Sequence, residues 1–197
     1  MIKKYDRAYF EHWYRGENIC GRAVLARKAA MAVAMAEHYL GRTIRTVLDV
    51  GCGEAPWRAP LLKLRPKLRY QGVDSSEYVV AKYGRSRNIA LAGFGQLAEL
   101  RFGAPVDLLV CSDVMHYVPT PELKRGLSGF GELCGGLAFI EVFTSEDAIV
   151  GDLEGFIWRS PSIYRRLIAA AGLLACGSHA YLSPSLRDGA TALETAV

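Results

Sequence analysis

Apolar positions in this chain come in two kinds of run, and the two kinds alternate. An alanine-rich stretch of strong helix formers from Gly21 to Leu40 predicts one long helix, with Gly41 placed as its C′ residue. Beyond it, short apolar runs at Thr46–Val50, Arg69–Val73, Ile89–Ala92, Val106–Cys111 and Leu137–Phe143 predict buried strands. The segments between them, Trp57–Leu64, Glu77–Tyr83, a short piece near Leu97 and Pro121–Leu133, carry helical character. Strand and helix in strict alternation imply a parallel sheet with right-handed crossovers, covered on both faces. The expected class is therefore α/β, a doubly wound and mostly parallel sheet.

The last third changes the pattern. Pro161–Ala171 predicts a helix that opens with Ser160 as N-cap and Pro161 at the first helical position, and stops at Gly172. Two candidate strands follow, Leu173–Leu182 and Ala190–Val197, separated by Ser183-Pro184 and Asp188-Gly189, and they predict a C-terminal antiparallel hairpin at the sheet edge. The connection Thr144–Arg159 exceeds the usual ~2 to 6 residues, a length at which connections often serve as lids. Neither an internal repeat nor a low-complexity linker divides the chain. One domain is expected over residues 1–197, with 1–45 as an N-terminal helical cap, 46–197 as the core and 144–159 as a lid.

Composition adds limits. A chain of 197 residues, 51% of them hydrophobic, can bury one full core without a second domain. The formal net charge of +4 is spread along the chain with no block of like charge, which argues against nucleic acid or an anionic membrane as partner. Cys20, Cys52, Cys111, Cys134 and Cys176 show no CxxC pairing, so a reducing compartment is expected and no metal site. No apolar run follows the charges of Met1 to Asp6, which does not read as a secretory signal. The most apolar helical stretch, Ala23–Ala36, is interrupted by Arg27 and Lys28 and falls short of the ~20 residues that span a bilayer. A cytoplasmic protein fits these features.

The chemistry concentrates at the first two strands. Val47-Leu48-Asp49-Val50-Gly51-Cys52-Gly53-Glu54 is a buried strand running into a glycine-rich turn, where the backbone can approach a ligand at the carboxyl edge of the sheet. About twenty residues on, Gly72-Val73-Asp74 places a carboxylate at the end of the second strand, able to accept both hydroxyl hydrogens of a ribose. Together these specify an adenosine-type cofactor. A dinucleotide would need a third glycine and a helix N-terminus for its pyrophosphate, yet Pro56 stands there without an N–H and bulky Trp57 follows. S-adenosylmethionine (SAM) has no phosphate, and Asp49 beside the turn suits the amino group of its methionine end.

On these residues the chain resembles the class I SAM-dependent methyltransferases, in particular their compact small-molecule type with a Rossmann-like sheet. The similarity runs from about Val47 to Gly172. Val47 to Gly53 match the family's first motif and Asp74 its ribose-binding acid, with Ser75 next to it. Gly95-Gln96-Leu97-Ala98-Glu99-Leu100 corresponds to the third motif, with Gln96 where the family usually has an acid near adenine, and Val106 to Tyr117 corresponds to the fourth. The resemblance thus implies SAM as cofactor, with Asp49, Gly51, Cys52, Gly53, Asp74, Ser75, Gly95, Gln96, Leu97 and Ser112 at its site.

Ser112-Asp113 stands where the base-modifying members carry Asn-Pro-Pro-Tyr or Asp-Pro-Pro-Tyr, so a small-molecule methyl acceptor is expected and nucleic acid is not. His116 is the candidate catalytic residue, a base needed only if the acceptor is still protonated when it attacks. Tyr9, Phe10, Trp13 and Tyr14, with Phe143, Phe156 and Trp158, are candidates to cover the site. Each has a plainer reading: a bare tight turn for Gly51 and Gly53, an N-cap for Asp74, local packing for His116 and for Trp13 and Tyr14. Asp107 is expected to be structural. A SAM-binding module without catalysis is the alternative function, and a nucleotide-dependent oxidoreductase is disfavoured by Pro56.

Overall fold

The computed structural model describes residues 5–16 and 21–193, the side chains of Arg15 and Gly16 excepted. Two short pieces open the chain, helix α1 at Arg7–Phe10 and a π-helical turn at Glu11–Gly16, before the long helix α2 at Arg22–Leu40. Then come β1 (Thr46–Val50), α3 (Arg58–Leu64), β2 (Arg69–Asp74), α4 (Glu77–Arg87), β3 (Ile89–Leu91) and a 3₁₀ turn at Phe94–Ala98. The second half holds β4 (Val106–Ser112), α5 (Thr120–Ser128), α6 (Phe130–Leu133), β5 (Cys134–Glu141), α7 (Pro161–Ala170), β6 (Leu174–Ala175) and β7 (Ala180–Leu182). These strands form one sheet in the order β3-β2-β1-β4-β5-β7-β6. The pairs among β1 to β5 are parallel and those involving β6 and β7 antiparallel. The Rossmann-like sheet with a C-terminal hairpin is thus the fold.

Side-chain alternation along the central strands fills two cores. Leu108, Val110, Leu137 and Phe139 face α2 and α3 in one buried cluster, while Leu109, Cys111, Ala138 and Ile140 face α5, α6 and α7 in the other. Helices switch faces between the β1–β2 half and the β4–β5 half, so a crevice opens at the carboxyl ends of β1 and β4, where ligands of such sheets bind. Asp107 lies at the far end of β4. Its carboxylate accepts hydrogen bonds from Arg42 (2.7 Å) and from the backbone N–H groups of Arg45 (2.6 Å) and Thr46 (3.2 Å), stitching the start of β1 to β4.

Three boundaries differ from the sequence reading, each for a tertiary reason. The hairpin is made inside the stretch read as a single strand: the chain reverses between β6 and β7 through Gly177, Ser178 and His179, all with positive φ. Ala190 to Leu193 are not a strand, and the rest of that expected strand, 194–197, lies outside the described residues. Helix α4 runs past Tyr83 and Gly84 to Arg87 because Asn88, at φ 58, is its left-handed cap. Finally, β5 begins at Cys134 rather than Leu137 and ends at Glu141. Its Gly135-Gly136 pair, ahead of the expected strand, lies within it, and a Cβ on Gly136 would lie 2.0 Å from the Asp107 carbonyl oxygen.

Candidate active site

The turn after β1 is tied to β2 by all three of its N–H groups. Gly51 (2.8 Å) and Cys52 (3.1 Å) donate to the Val73 carbonyl, and Gly53 donates to Asp74 Oδ2 (2.7 Å). None of these three is left to cradle a phosphate. Gly51 has φ 65, and a Cβ there would fall 2.5 Å from Val114 on the loop leaving β4, so both conformation and space require glycine. Trp57 turns inward, 4% exposed, and packs on Phe139 at 5.0 Å between ring centres.

Asp74 is 8% exposed; Oδ2 takes the Gly53 N–H and Oδ1 takes the Ser76 N–H (2.8 Å). Burial raises its pKa, and the two backbone hydrogen bonds oppose that. A carboxylate offers about four acceptor positions, so two remain for a pair of hydroxyls. The N-cap of α4 is Ser76, which accepts from Val79 N–H at 3.2 Å. Asp49 is buried and accepts from the Tyr70 hydroxyl at 2.6 Å. Burial pushes its carboxyl up to about 7, helped by the charge of Asp74 and opposed by the Tyr70 hydrogen bond.

Two adjoining chambers open at this edge. The larger, about 940 Å³, is bordered by Gly51, Gly53, Asp74, Ser75, Phe94 and Leu97 among others. The smaller, about 380 Å³, is reached by Asp49, Cys52, Ser112, His116 and Glu141. Of the cofactor and catalytic residues singled out from sequence, Gly95 and Gln96 alone border neither chamber. Gln96 folds back to accept the Gly93 N–H (2.7 Å), and Gly95 packs on α5, where an added Cβ would come within 2.9 Å of Glu122 Cγ. Phe94, Glu122 and Ile157 border the larger chamber and carry no motif; only their place beside the loops of β1, β3 and β4 reveals them.

His116 lies on the 3₁₀ turn Met115–Tyr117 and is 1% exposed. Its Nε2 is 3.2 Å from Asp113 Oδ1, its Nδ1 has no hydrogen-bond partner, and its ring stacks on Phe156 at 4.7 Å. Glu141 accepts from Lys28 (2.5 Å) and from Ser112 Oγ (2.7 Å). Burial raises the Glu141 pKa, but Lys28 and Ser112 outweigh it and hold the carboxyl below its ordinary value, which suits a fixed anion better than a base.

Both expected covering segments reach the site. Tyr5, Tyr9, Phe10 and Tyr14 line the larger chamber, and the Ser76 hydroxyl donates to the Tyr5 carbonyl at 2.5 Å. From the other side, Gly155 and Ile157 line it and Tyr117 donates to the Asp152 carbonyl (2.7 Å). The segments meet where the Tyr9 hydroxyl bonds the Asp152 side chain. Phe143 borders the smaller chamber, whereas Trp13 borders neither and Trp158 is 57% exposed.

A doubly wound sheet with a glycine turn after its first strand, whose N–H groups are all bonded to the second strand, and an acid at the end of that strand has the form expected of the class I methyltransferase fold. Comparison with known proteins agrees. Residues 47–134 match the methyltransferase domain family. Over 97 residues, 45% of this chain, the sequence is 39% identical to a trans-aconitate 2-methyltransferase of Azoarcus sp. strain BH72. The chain spans 37% of that relative's length. Among solved structures, it is similar to a sugar N-methyltransferase from Streptoalloteichus, with TM-score 0.62 and 19% identity over 83% of this chain and 84% of that one. It is likewise similar to the magnesium protoporphyrin IX methyltransferase of Synechocystis with S-adenosylhomocysteine bound, with TM-score 0.62 and 18% identity over 86% of each. Residues 47–134 thus carry a methyltransferase-domain match, and the chain shares the fold of SAM-dependent methyltransferases of known structure. No described helix is long and apolar enough to cross a membrane.

Proposed function

We propose that the protein transfers the methyl group of SAM to a small-molecule acceptor. The observation that carries this reading is the pair of adjoining chambers at the switch point of the sheet, one bordered by Asp74 with two acceptor positions to spare. A volume of about 940 Å³ is within the ~300 to 1,000 Å³ of small-molecule sites and leaves room beside the cofactor. Asp74 would hold the ribose, Gly51, Cys52 and Gly53 the methionine end with Asp49 near its amino group, and Ser75 and Leu97 the adenosine side. In place of the motif residue Gln96, Phe94 and Leu97 offer apolar surface to a flat base. When bound, SAM supplies a methyl carbon on a positive sulfonium, open to in-line displacement.

The chain's own task is then positioning and the exclusion of water. The tyrosines of the amino segment and Ile157 of the long connection close over the larger chamber, and the smaller chamber receives the acceptor. His116 beside Asp113 takes the acceptor's proton where there is one to lose. The relative's name gives trans-aconitate, a carboxylate, as its acceptor, and the solved neighbour's gives an amine of a sugar.

Calorimetry on the full chain tests the cofactor reading: SAM and S-adenosylhomocysteine should both bind. Asp74→Ala should weaken both at least tenfold, since each hydrogen bond to a charged group contributes ~1.5 to 3 kcal/mol. Wild-type affinity in a folded Asp74→Ala protein would remove the ribose assignment, and no binding at millimolar concentration would remove the cofactor.

A further inference from the structure

The two chambers share Tyr9, Tyr14, Gly51, Asp113 and Tyr117, so these five residues surround the place where a methyl group crosses from cofactor to acceptor. Asp113 is the one carboxylate among them. Its side chain is 48% exposed, and its partner is the His116 imidazole, at 3.2 Å; no Lys or Arg among the described residues pairs with it. The other acids lining the smaller chamber are engaged: Glu141 with Lys28 and Ser112, Asp49 with Tyr70 and Asp152 with Tyr9. Lys28 is the only Lys or Arg among the described residues that line either chamber, and Glu141 offsets its charge. An anionic acceptor would therefore set its charge against Asp113. A cationic one would meet a carboxylate that no Lys or Arg among the described residues neutralises. His116 supplies the complementary group, a buried imidazole lining the acceptor chamber with Nδ1 unpartnered.

We propose, resting on the function assigned above, that the acceptor is a primary or secondary amine held as its ammonium against Asp113 at the junction of the two chambers. His116 takes one N–H proton, leaving a lone pair on nitrogen. That pair forms the N–C bond to the methyl carbon as the C–S bond breaks and its electrons return to sulfur. The product is an N-methylammonium, and the proton on His116 passes to solvent, so one proton is released for each methyl transferred.

Sinefungin, the cofactor analogue in which an ammonium-bearing carbon replaces the methyl-bearing sulfonium sulfur, places a cation at this junction without any acceptor. Asp113→Asn removes the charge, keeps the side-chain shape and tolerates the positive φ of 63. On the full chain, calorimetry should find sinefungin bound at least tenfold (1.4 kcal/mol) more tightly than S-adenosylhomocysteine. In Asp113→Asn that advantage should vanish while S-adenosylhomocysteine binds as before. Equal affinity of the two analogues in the wild type overturns the amine proposal and leaves the cofactor reading intact. Failure of S-adenosylhomocysteine itself to bind overturns both. In a second arm, S-adenosylhomocysteine release from SAM is measured with panels of amines, phenols and carboxylates, trans-aconitate included. Turnover on amines that falls at least tenfold in Asp113→Asn supports the proposal, and turnover confined to carboxylates or hydroxyls overturns it. If no compound turns over, the sinefungin comparison decides.

Discussion

Asp49 and Asp107 are both buried carboxylates, one on β1 and one on β4, and their surroundings push them in opposite directions. Burial raises both, but Arg42 and two backbone N–H groups outweigh it at Asp107 and lower its pKa, whereas Asp49 has only the Tyr70 hydroxyl and rises to about 7. A raised acid holds its proton in the folded state after the unfolded chain has lost it. Asp49 therefore makes stability fall as pH rises from about 4 to about 7. An amino group brought near it by the cofactor would favour the anion and drive the proton off. Calorimetry with S-adenosylhomocysteine near pH 6.5, in buffers of different ionisation enthalpy, should detect proton release that is absent at pH 8.5 and in Asp49→Asn. Unchanged heats across buffers would separate Asp49 from the amino group. At Asp107 the expected effect is on stability alone: Asp107→Ala leaves two backbone N–H groups and Arg42 without their acceptor, and should cost about 2 to 3 kcal/mol in chemical denaturation. Its cofactor affinity should match the wild type, because the residue lies at the opposite end of β4 from the chambers.

At the scale of elements, the long connection is held at its neck. The Ser145 N–H donates to the Arg159 carbonyl (2.9 Å) and the Ile157 N–H to the His116 carbonyl (2.8 Å), so the intervening chain forms a loop with its ends together. Arg159, 3% exposed, fixes that neck to the loop after β4: it donates to the carbonyls of Met115 (3.2 Å) and Val118 (2.5 Å), to Thr120 Oγ1 and to the Tyr164 hydroxyl. One guanidinium thus ties the 3₁₀ turn carrying His116, the start of α5 and the face of α7 together. Arg159→Met leaves these acceptors buried and unpaired, and Arg159→Lys cannot reproduce the planar fork. Both variants should lower the melting temperature, and amide exchange should quicken across 114–119 and 145–159 ahead of the rest. Exchange rates equal to wild type in those two segments would show that Arg159 does not hold them.

Across the whole molecule, the site is assembled from distant parts of the chain: the amino segment, the turns after β1, β2 and β4, and the connection after β5. The two covering segments contact each other through Tyr9 and Asp152. Val150, at the outer part of the connection, is 99% exposed. Such a cover should open to admit ligands and tighten over them. S-adenosylhomocysteine is expected to slow amide exchange in residues 5–14 and 145–158, with little change in α2 or in β4 and β5. Equal exchange with and without it would mean that the segments are a fixed wall.

The succession of strands and helices, the fold class and the cofactor edge of the sheet were legible in the chain itself. Alternating apolar runs report burial on a two-sided sheet, and the Gly51–Gly53 turn with Asp74 reports a ribose-binding edge, because each is a local requirement on a few adjacent residues. What tertiary structure decided are the properties that depend on neighbours remote in sequence. Gly135 and Gly136 became strand because the β4 backbone lies too close for a side chain, and the hairpin closed at Gly177 through two further left-handed residues that no glycine marks. Gly95 and Gln96 sat at motif spacing, yet packing against α5 and a cap on Gly93 turned them from the chamber, leaving Phe94 and Leu97 to border it. Glu141 is a fixed anion and not a base because Lys28, more than a hundred residues earlier, folds onto it. The charge at the junction could not be read from sequence at all, since a charge balance counts every residue alike and only packing decides which carboxylate is left without a cation.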